Sequence, residues 1–185
     1  MSIAFLSCPG SYNIPMSGKK ILFIGDSLIE WFDWASRFPE HDVTNLGISG
    51  ETVEWMLDRL PRVTRNYKGI EKVFILTGIN NVAIEDSGII KPYRKALREF
   101  SAAYPGAELY VISLLPTRLP WINPVTIETL NEKLMDLAKE CGASYIDVHG
   151  IFSRHDLREL LAEDGIHISP AGYAVFSAEI SRYMT

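Results

Sequence analysis

Three apolar runs in this chain do not alternate with polar residues. KILFIG (20–25), EKVFILTG (71–78) and AELYVISLLP (107–116) are continuous around Ile24, Ile75 and Ile112. A strand with one wet face alternates apolar and polar residues, so a continuous β-branched run marks a strand covered on both faces, as in a parallel sheet. DVTNLG (42–47) and ASYIDV (143–148) bring the candidate strands to five. Between them, apolar residues recur at helical spacing: Val53, Met56, Leu57 and Leu60, then Tyr93, Ala96, Leu97 and Phe100, then Ile127, Leu130, Leu134 and Leu137. Gly142, after LAKEC, stops the third of these helices. A last helix has Ser169 as its N-cap and Pro170 at its first position, with Tyr173, Phe176, Ile180 and Tyr183 toward the core.

Strand followed by helix, five times over, predicts an α/β fold with a parallel sheet. At 185 residues the form expected is a three-layer α/β/α sandwich, flavodoxin-like, with a central five-stranded parallel sheet. One domain spans 1–185, with 1–18 as an N-terminal extension. Such sheets bind ligands outside the carboxyl ends of their strands. The proline-rich loop LPTRLPWINP (115–124) follows the fourth strand and so lies on that side.

Bulk properties exclude several classes. The formal net charge of −5 argues against nucleic acid, which needs a basic face. Cys8 and Cys141 are far apart and sit in no metal or redox spacing, so they read as incidental thiols with no support for a disulfide. The first ten residues, MSIAFLSCPG, lack a basic segment and make a poor signal peptide. No stretch approaches the roughly 20 apolar residues of a membrane helix. A cytoplasmic location is the expectation.

Polar residues gather where the strands end. After strand one come Gly25, Asp26 and Ser27; after strand two, Asn45, Gly47, Ser49 and Gly50; after strand three, Thr77, Gly78, Asn80 and Asn81. EDGIHISP, with Asp164 and His167, precedes the last helix. Ser27 has two readings. It caps a helix, with Asp26 sharing the task, or it is a nucleophile, which needs a base because a serine hydroxyl is weak at neutral pH. His167 is the candidate base, against His41, His149 and His155. Asp164, three residues before it, can hold one ring nitrogen and stabilise the imidazolium. Acyl transfer also needs donors for a developing oxyanion. Gly50 offers a backbone N–H with no side chain in the way, and Asn80 offers an amide; each also reads as an ordinary turn or capping residue.

These residues resemble the SGNH hydrolases, the GDSL-like lipases and esterases. GDSL (25–28) is similar to the nucleophile block, NLGISGET (45–52) to the block carrying the oxyanion glycine, TGINN (77–81) to the block carrying the oxyanion asparagine, and DGIH (164–167) to the acid–base block. The family has Asp after the third-block Asn in most members; here it is Asn81. That departure, with LLPTRLPWINP and TLNEKL, resembles the branch of the platelet-activating-factor acetylhydrolase catalytic subunits. The resemblance implies a catalytic Ser27, Asp164 and His167, an oxyanion hole of Ser27, Gly50 and Asn80, and no metal or cofactor. It implies a serine esterase for short, chiefly acetyl, O-esters, acting on an acetylated sugar, a small ester or a lipid. It also makes a homodimer an expectation.

Asp26, Asn81, Arg118 and Trp121 are candidates for substrate binding. An arginine there could meet an anionic group, and a tryptophan could stack on a sugar or lipid. Trp31 and Trp34 lie near the cleft mouth or in the core. The rival enzyme is a lysophospholipase or thioesterase for longer chains. The rival from another class is a ligand-binding, flavodoxin-like or receiver-like module. GDSLIEW is not a flavodoxin phosphate loop, and YIDVHG has no lysine for a receiver.

Overall fold

The computed structural model describes residues 18–185. Cys8 and all of the N-terminal extension but Gly18 therefore lie outside the described residues. The order of elements is β1 (Lys20–Gly25), α1 (Ser27–Glu30), α2 (Trp34–Arg37), β2 (Asp42–Gly47), α3 (Val53–Asn66), β3 (Lys72–Leu76), α4 (Ile79–Ala83), α5 (Ile90–Ala103), β4 (Glu108–Ile112), α6 (Pro124–Glu140), β5 (Ser144–Ile146), α7 (Val148–Phe152), α8 (Leu157–Leu160) and α9 (Pro170–Ser181). The five strands pair in parallel in the order β2-β1-β3-β4-β5. This is the flavodoxin-like order, and its direction reverses between β1 and β3.

Right-handed crossovers then assign the helices to faces. α3, α5 and α6 share one face, with α3 packed on α5 and α5 on α6. The short first connection runs the other way. Trp34 of α2 meets Phe176 of α9 edge to face at 5.3 Å. Phe23 of β1 stacks on Trp34 at 4.1 Å and on Phe74 of β3 at 4.8 Å, and Phe74 stacks on Tyr110 of β4 at 4.5 Å. These three strand aromatics are register partners, so the continuous runs supply a cross-strand aromatic row under α2 and α9.

The helical stripes are buried as the spacing predicts at Val53, Met56 and Leu60, at Tyr93, Ala96, Leu97 and Phe100, and at Ile127, Leu130, Leu134 and Leu137. Ser169 caps α9 by accepting from the Gly172 N–H at 3.1 Å. Three strands are shorter than the runs that mark them, and the third gives up only Glu71, Thr77 and Gly78 at its ends. The fourth leaves the ladder at Ile112 because Asn131 of α6 takes over Leu114, accepting from its N–H at 2.8 Å and donating to its carbonyl at 2.9 Å. The fifth ends at Ile146 because Asp147 caps α7 through the Gly150 N–H at 2.8 Å. No helix of the described residues is long and apolar enough to cross a membrane.

Candidate active site

At the end of β1 the chain must turn sharply. Asp26 N–H donates to the Leu76 carbonyl at 3.3 Å, and Ile48 N–H donates to the Gly25 carbonyl at 2.8 Å, which holds the turn to both neighbouring strands. Asp26 then caps α1, its Oδ1 accepting from Leu28 N–H at 3.0 Å. The cap is thus Asp26, and the Ser27 hydroxyl is left for another partner. Its Oγ lies 3.0 Å from Nε2 of His167. Asp26 is 0% exposed and its Oδ2 has no hydrogen-bond partner among the described residues. Burial is the main force raising its carboxyl to about 7; the Leu28 N–H opposes this and the charge of Glu51 adds to it.

The acid–base loop is built by its own backbone. Asp164 Oδ1 accepts from the N–H groups of Ile166 and His167, each at 3.0 Å, and Oδ2 lies 2.6 Å from Nδ1 of His167. Partial burial would raise this carboxyl, but the Ile166 N–H and the ring and N–H of His167 together hold it at about 2. Ala162 N–H bonds the His167 carbonyl at 2.7 Å, and Arg118 N–H bonds the Gly165 carbonyl at 2.7 Å, so the proline-rich loop braces this turn. The three residues form a continuous chain from carboxylate through imidazole to hydroxyl. The competing histidines are engaged elsewhere: His41 Nδ1 accepts from Lys19 N–H at 3.2 Å, and His149 Nδ1 lies 3.5 Å from Ser153 Oγ. Exposed His155 lies with His149 and Ser153 along a separate cavity.

The loop between β2 and α3 carries Gly50. Its φ of +78° is a left-handed conformation that glycine adopts freely, and a Cβ there would meet nothing within 4 Å. No hydrogen bond among the described residues occupies its N–H. Gly47 is required for another reason: a Cβ would lie 2.2 Å from the Glu30 nitrogen, so only glycine lets α1 pack on the end of β2. Asn45 seals that approach, its amide donating to the Ile29 carbonyl at 3.0 Å and its Oδ1 accepting from Gly47 N–H at 2.9 Å.

Asn80 of α4 donates one amide hydrogen to the Glu51 carbonyl at 3.0 Å, which ties the two blocks together; its other amide hydrogen has no partner among the described residues. Beside it, Asn81 Oδ1 accepts from Val53 N–H at 3.0 Å while Nδ2 donates to Glu54 at 2.8 Å and Asp86 at 3.0 Å. Behind the loop, Glu51 is buried and held by Arg59 of α3, whose Nη2 also donates to the Leu46 carbonyl at 2.7 Å. Desolvation raises the Glu51 carboxyl and Arg59 lowers it, the former prevailing.

The substrate-binding candidates divide. Asp26 and Asn81 are buried, at 0% and 1% exposure, and Asn81 uses its oxygen and both amide hydrogens in bonds within the site. Arg118 and Trp121 are exposed on the proline-rich loop, and Trp121 lines a cavity of about 310 Å³ with Val82, Glu85, Asp86 and Asn123. Trp34 is core, donating Nε1–H to the Ile29 carbonyl at 3.0 Å. Trp31 instead stacks on the His167 ring, centroids 3.9 Å apart and planes 17° from parallel. Sequence reasoning gives no site role to Glu30, Glu51 or Arg59. Glu51 lies inside the block 45–52, which is a signal of place only, and the other two lie in no block. Among the described residues no group of three or more His, Cys, Asp or Glu is placed to hold a metal ion.

The sequence model of the GDSL-like lipase/acylhydrolase family matches residues 23–175, from β1 into α9. An isoamyl acetate-hydrolyzing esterase of Schizosaccharomyces pombe is 23% identical over 148 residues, covering 72% of this chain and 58% of the yeast protein. The chain thus spans little more than half of that relative. Among solved structures, a Streptococcus pneumonia protein provisionally described as a platelet activating factor superposes with a TM-score of 0.81 at 24% identity, covering 94% of this chain and 87% of the other. Axe2, an acetylxylan esterase from Geobacillus stearothermophilus, does so with a TM-score of 0.74 at 21% identity, covering 91% and 94%. At these identities the structural likeness speaks for the fold, and the family match, which runs from the turn that carries Ser27 through the loop that carries His167, speaks for kinship: the chain belongs to the GDSL-like lipase/acylhydrolase family.

Proposed function

We propose that this protein is a serine esterase that hydrolyses short-chain O-esters, acetyl esters above all, through an acyl-enzyme. The observation that carries the reading is the run of contacts from Asp164 to His167 at 2.6 Å and from His167 to Ser27 at 3.0 Å. Asp164 fixes the ring with Nδ1 protonated, so Nε2 is the basic nitrogen facing the hydroxyl. Ser27 Oγ attacks the ester carbonyl carbon as His167 Nε2 takes its proton. The carbonyl oxygen becomes an oxyanion, met by the N–H groups of Ser27 and Gly50 and the other amide hydrogen of Asn80. Collapse expels the alkoxide, which His167 protonates. Water then attacks the acyl-enzyme, giving its proton to His167, and the carboxylic acid leaves as Ser27 recovers its proton. The held carboxylate of Asp164, ionised down to about pH 2, stays charged throughout.

Preference for acetyl is supported by Asn81 in place of aspartate and by the acetyl esters named for two of the relatives. Arg118, exposed and bonded through its N–H to the acid–base loop, and Trp121, exposed on the same proline-rich loop, are the candidates to meet the alcohol half. The test is release of p-nitrophenol from acetate, butyrate and octanoate esters, with Ser27→Ala and fluorophosphonate labelling alongside. The expected result is fastest cleavage of acetate, loss of activity in Ser27→Ala, and labelling of wild type only. Fastest cleavage of octanoate would replace the acetyl reading with a long-chain one. Absence of labelling would remove the nucleophile.

A further inference from the structure

We infer that Trp31 is a positioning residue that holds the imidazole of His167 and couples it to the loop carrying Gly50; this deepens the esterase reading and rests on it. Trp31 is 55% exposed, yet one face of its indole is covered by the His167 ring at 3.9 Å. Its Nε1–H donates to Ser49 Oγ at 3.0 Å. Ser49 in turn gives its N–H to the Glu30 carboxylate at 2.8 Å and its hydroxyl to the same oxygen. Trp31 N–H bonds the Ser27 carbonyl at 3.1 Å, so the tryptophan stands one helical turn beyond the serine on the same short element.

Two physical effects follow. The bond from Nδ1 to Asp164 fixes one edge of the imidazole but leaves the ring free to tilt about it. A flat indole face in van der Waals contact removes that tilt and keeps Nε2 directed at Ser27 Oγ. The ring also becomes a cation when it takes the serine proton, and the electron-rich indole face attracts a cation more than a neutral ring. The contact is therefore stronger at the transition state than in the resting site, which acts on kcat rather than on KM. Because Ser49 immediately precedes Gly50, the same side chain ties the general base to an oxyanion donor.

The experiment compares wild type with Trp31→Phe, Trp31→Leu and Ser49→Ala by p-nitrophenyl acetate kinetics. Beside this, proton NMR of the His167 ring is recorded in Ser27→Ala and in Ser27→Ala/Trp31→Leu. Trp31→Leu is expected to lower kcat about 10-fold with little change in KM, Trp31→Phe to recover most of that loss, and Ser49→Ala to lose about 3-fold. The upfield ring-current shift of the His167 carbon-bound protons is expected in Ser27→Ala and absent once leucine replaces the indole. An unchanged kcat in Trp31→Leu overturns the inference, as does a rise in KM at constant kcat, which would make Trp31 a substrate contact. If Trp31→Leu does not fold, the ring-current shift in Ser27→Ala and the kcat values of Trp31→Phe and Ser49→Ala decide. A wild type that fails to label and to hydrolyse overturns the esterase reading and this inference with it. An active, labelled wild type matched by Trp31→Leu overturns this inference alone.

Discussion

Asp26 and Ser27 are buried neighbours in the chain with different partners. The aspartate points inward, caps α1 with one oxygen and buries the other without a partner among the described residues. The serine, 6% exposed, gives its hydroxyl to His167 instead. Burial that raises Asp26 to about 7 means the folded chain binds a proton that the unfolded chain has already lost. Its contribution is therefore fully present below the ordinary carboxylate range and declines as pH rises from about 4 to about 7, at up to about 1.4 kcal/mol per pH unit. Asp26→Asn keeps the acceptor for Leu28 and removes the charge. Urea titrations at pH 5 and 8 are expected to show a smaller fall in unfolding free energy in the variant than in wild type; equal falls would place the pH dependence elsewhere. Asn80→Ala removes one oxyanion donor and is expected to lower kcat by about 10²–10³-fold with p-nitrophenyl acetate.

The loop between β2 and α3 depends on a buried ion pair. Arg59 spans Glu51 and the Leu46 carbonyl, which fixes the loop's path over Gly50. Arg59→Ala leaves Glu51 charged in a nearly dry site, and such a loss typically destabilises by about 3–5 kcal/mol. Glu51→Gln in the same chain is expected to restore much of that stability, read from the denaturation midpoint. α6 presents a similar case. Asn131 satisfies both backbone groups of Leu114 where the ladder ends, so Asn131→Leu leaves a buried N–H and a buried carbonyl unpaired, at about 1–3 kcal/mol each. Thermal unfolding of that variant checks the claim.

Across the molecule, the carboxyls oppose one another in their response to pH. Against the burial that would raise it, Asp164 is held at about 2 by the backbone and His167, and Glu108 is held at about 2 by Tyr110 and Lys72. A depressed carboxyl contributes stability above the ordinary carboxylate range and loses it as pH falls through its folded value, here near 2. Asp26 acts in the opposite direction between about 4 and about 7. Folding stability is thus expected to peak on the acid side of neutrality, near about pH 4–5, and melting temperatures from about pH 2 to about pH 9 would read the curve directly. A maximum above about pH 7 would show that these groups do not set it.

Much of this was legible in the chain. Continuous apolar runs mark strands covered on both faces because parallel sheets leave no wet side, and helical spacing marks the faces that bury against them. Three of the four polar blocks were legible because each sits where a strand must end, and their common edge follows from parallel topology; the fourth, 164–167, was legible as the turn that leads into the last helix. What local pattern cannot carry is contact between distant segments. Leu114 reads as strand until Asn131, 17 residues on, is seen to take its hydrogen bonds. Trp31 and Trp34 are equivalent by spacing, but a break after α1 sends one to His167 and the other to Phe23. Asp26 and Asn81 are polar residues in polar motifs, and only packing turned them inward. The sheet, its helices and the edge where polar residues meet are written in the chain, because they depend on periodicity and the exclusion of solvent. Which of those polar residues face one another is written only in three dimensions, because a hydrogen bond between groups 140 residues apart exists only once folding brings the loop before α9 to the end of β1.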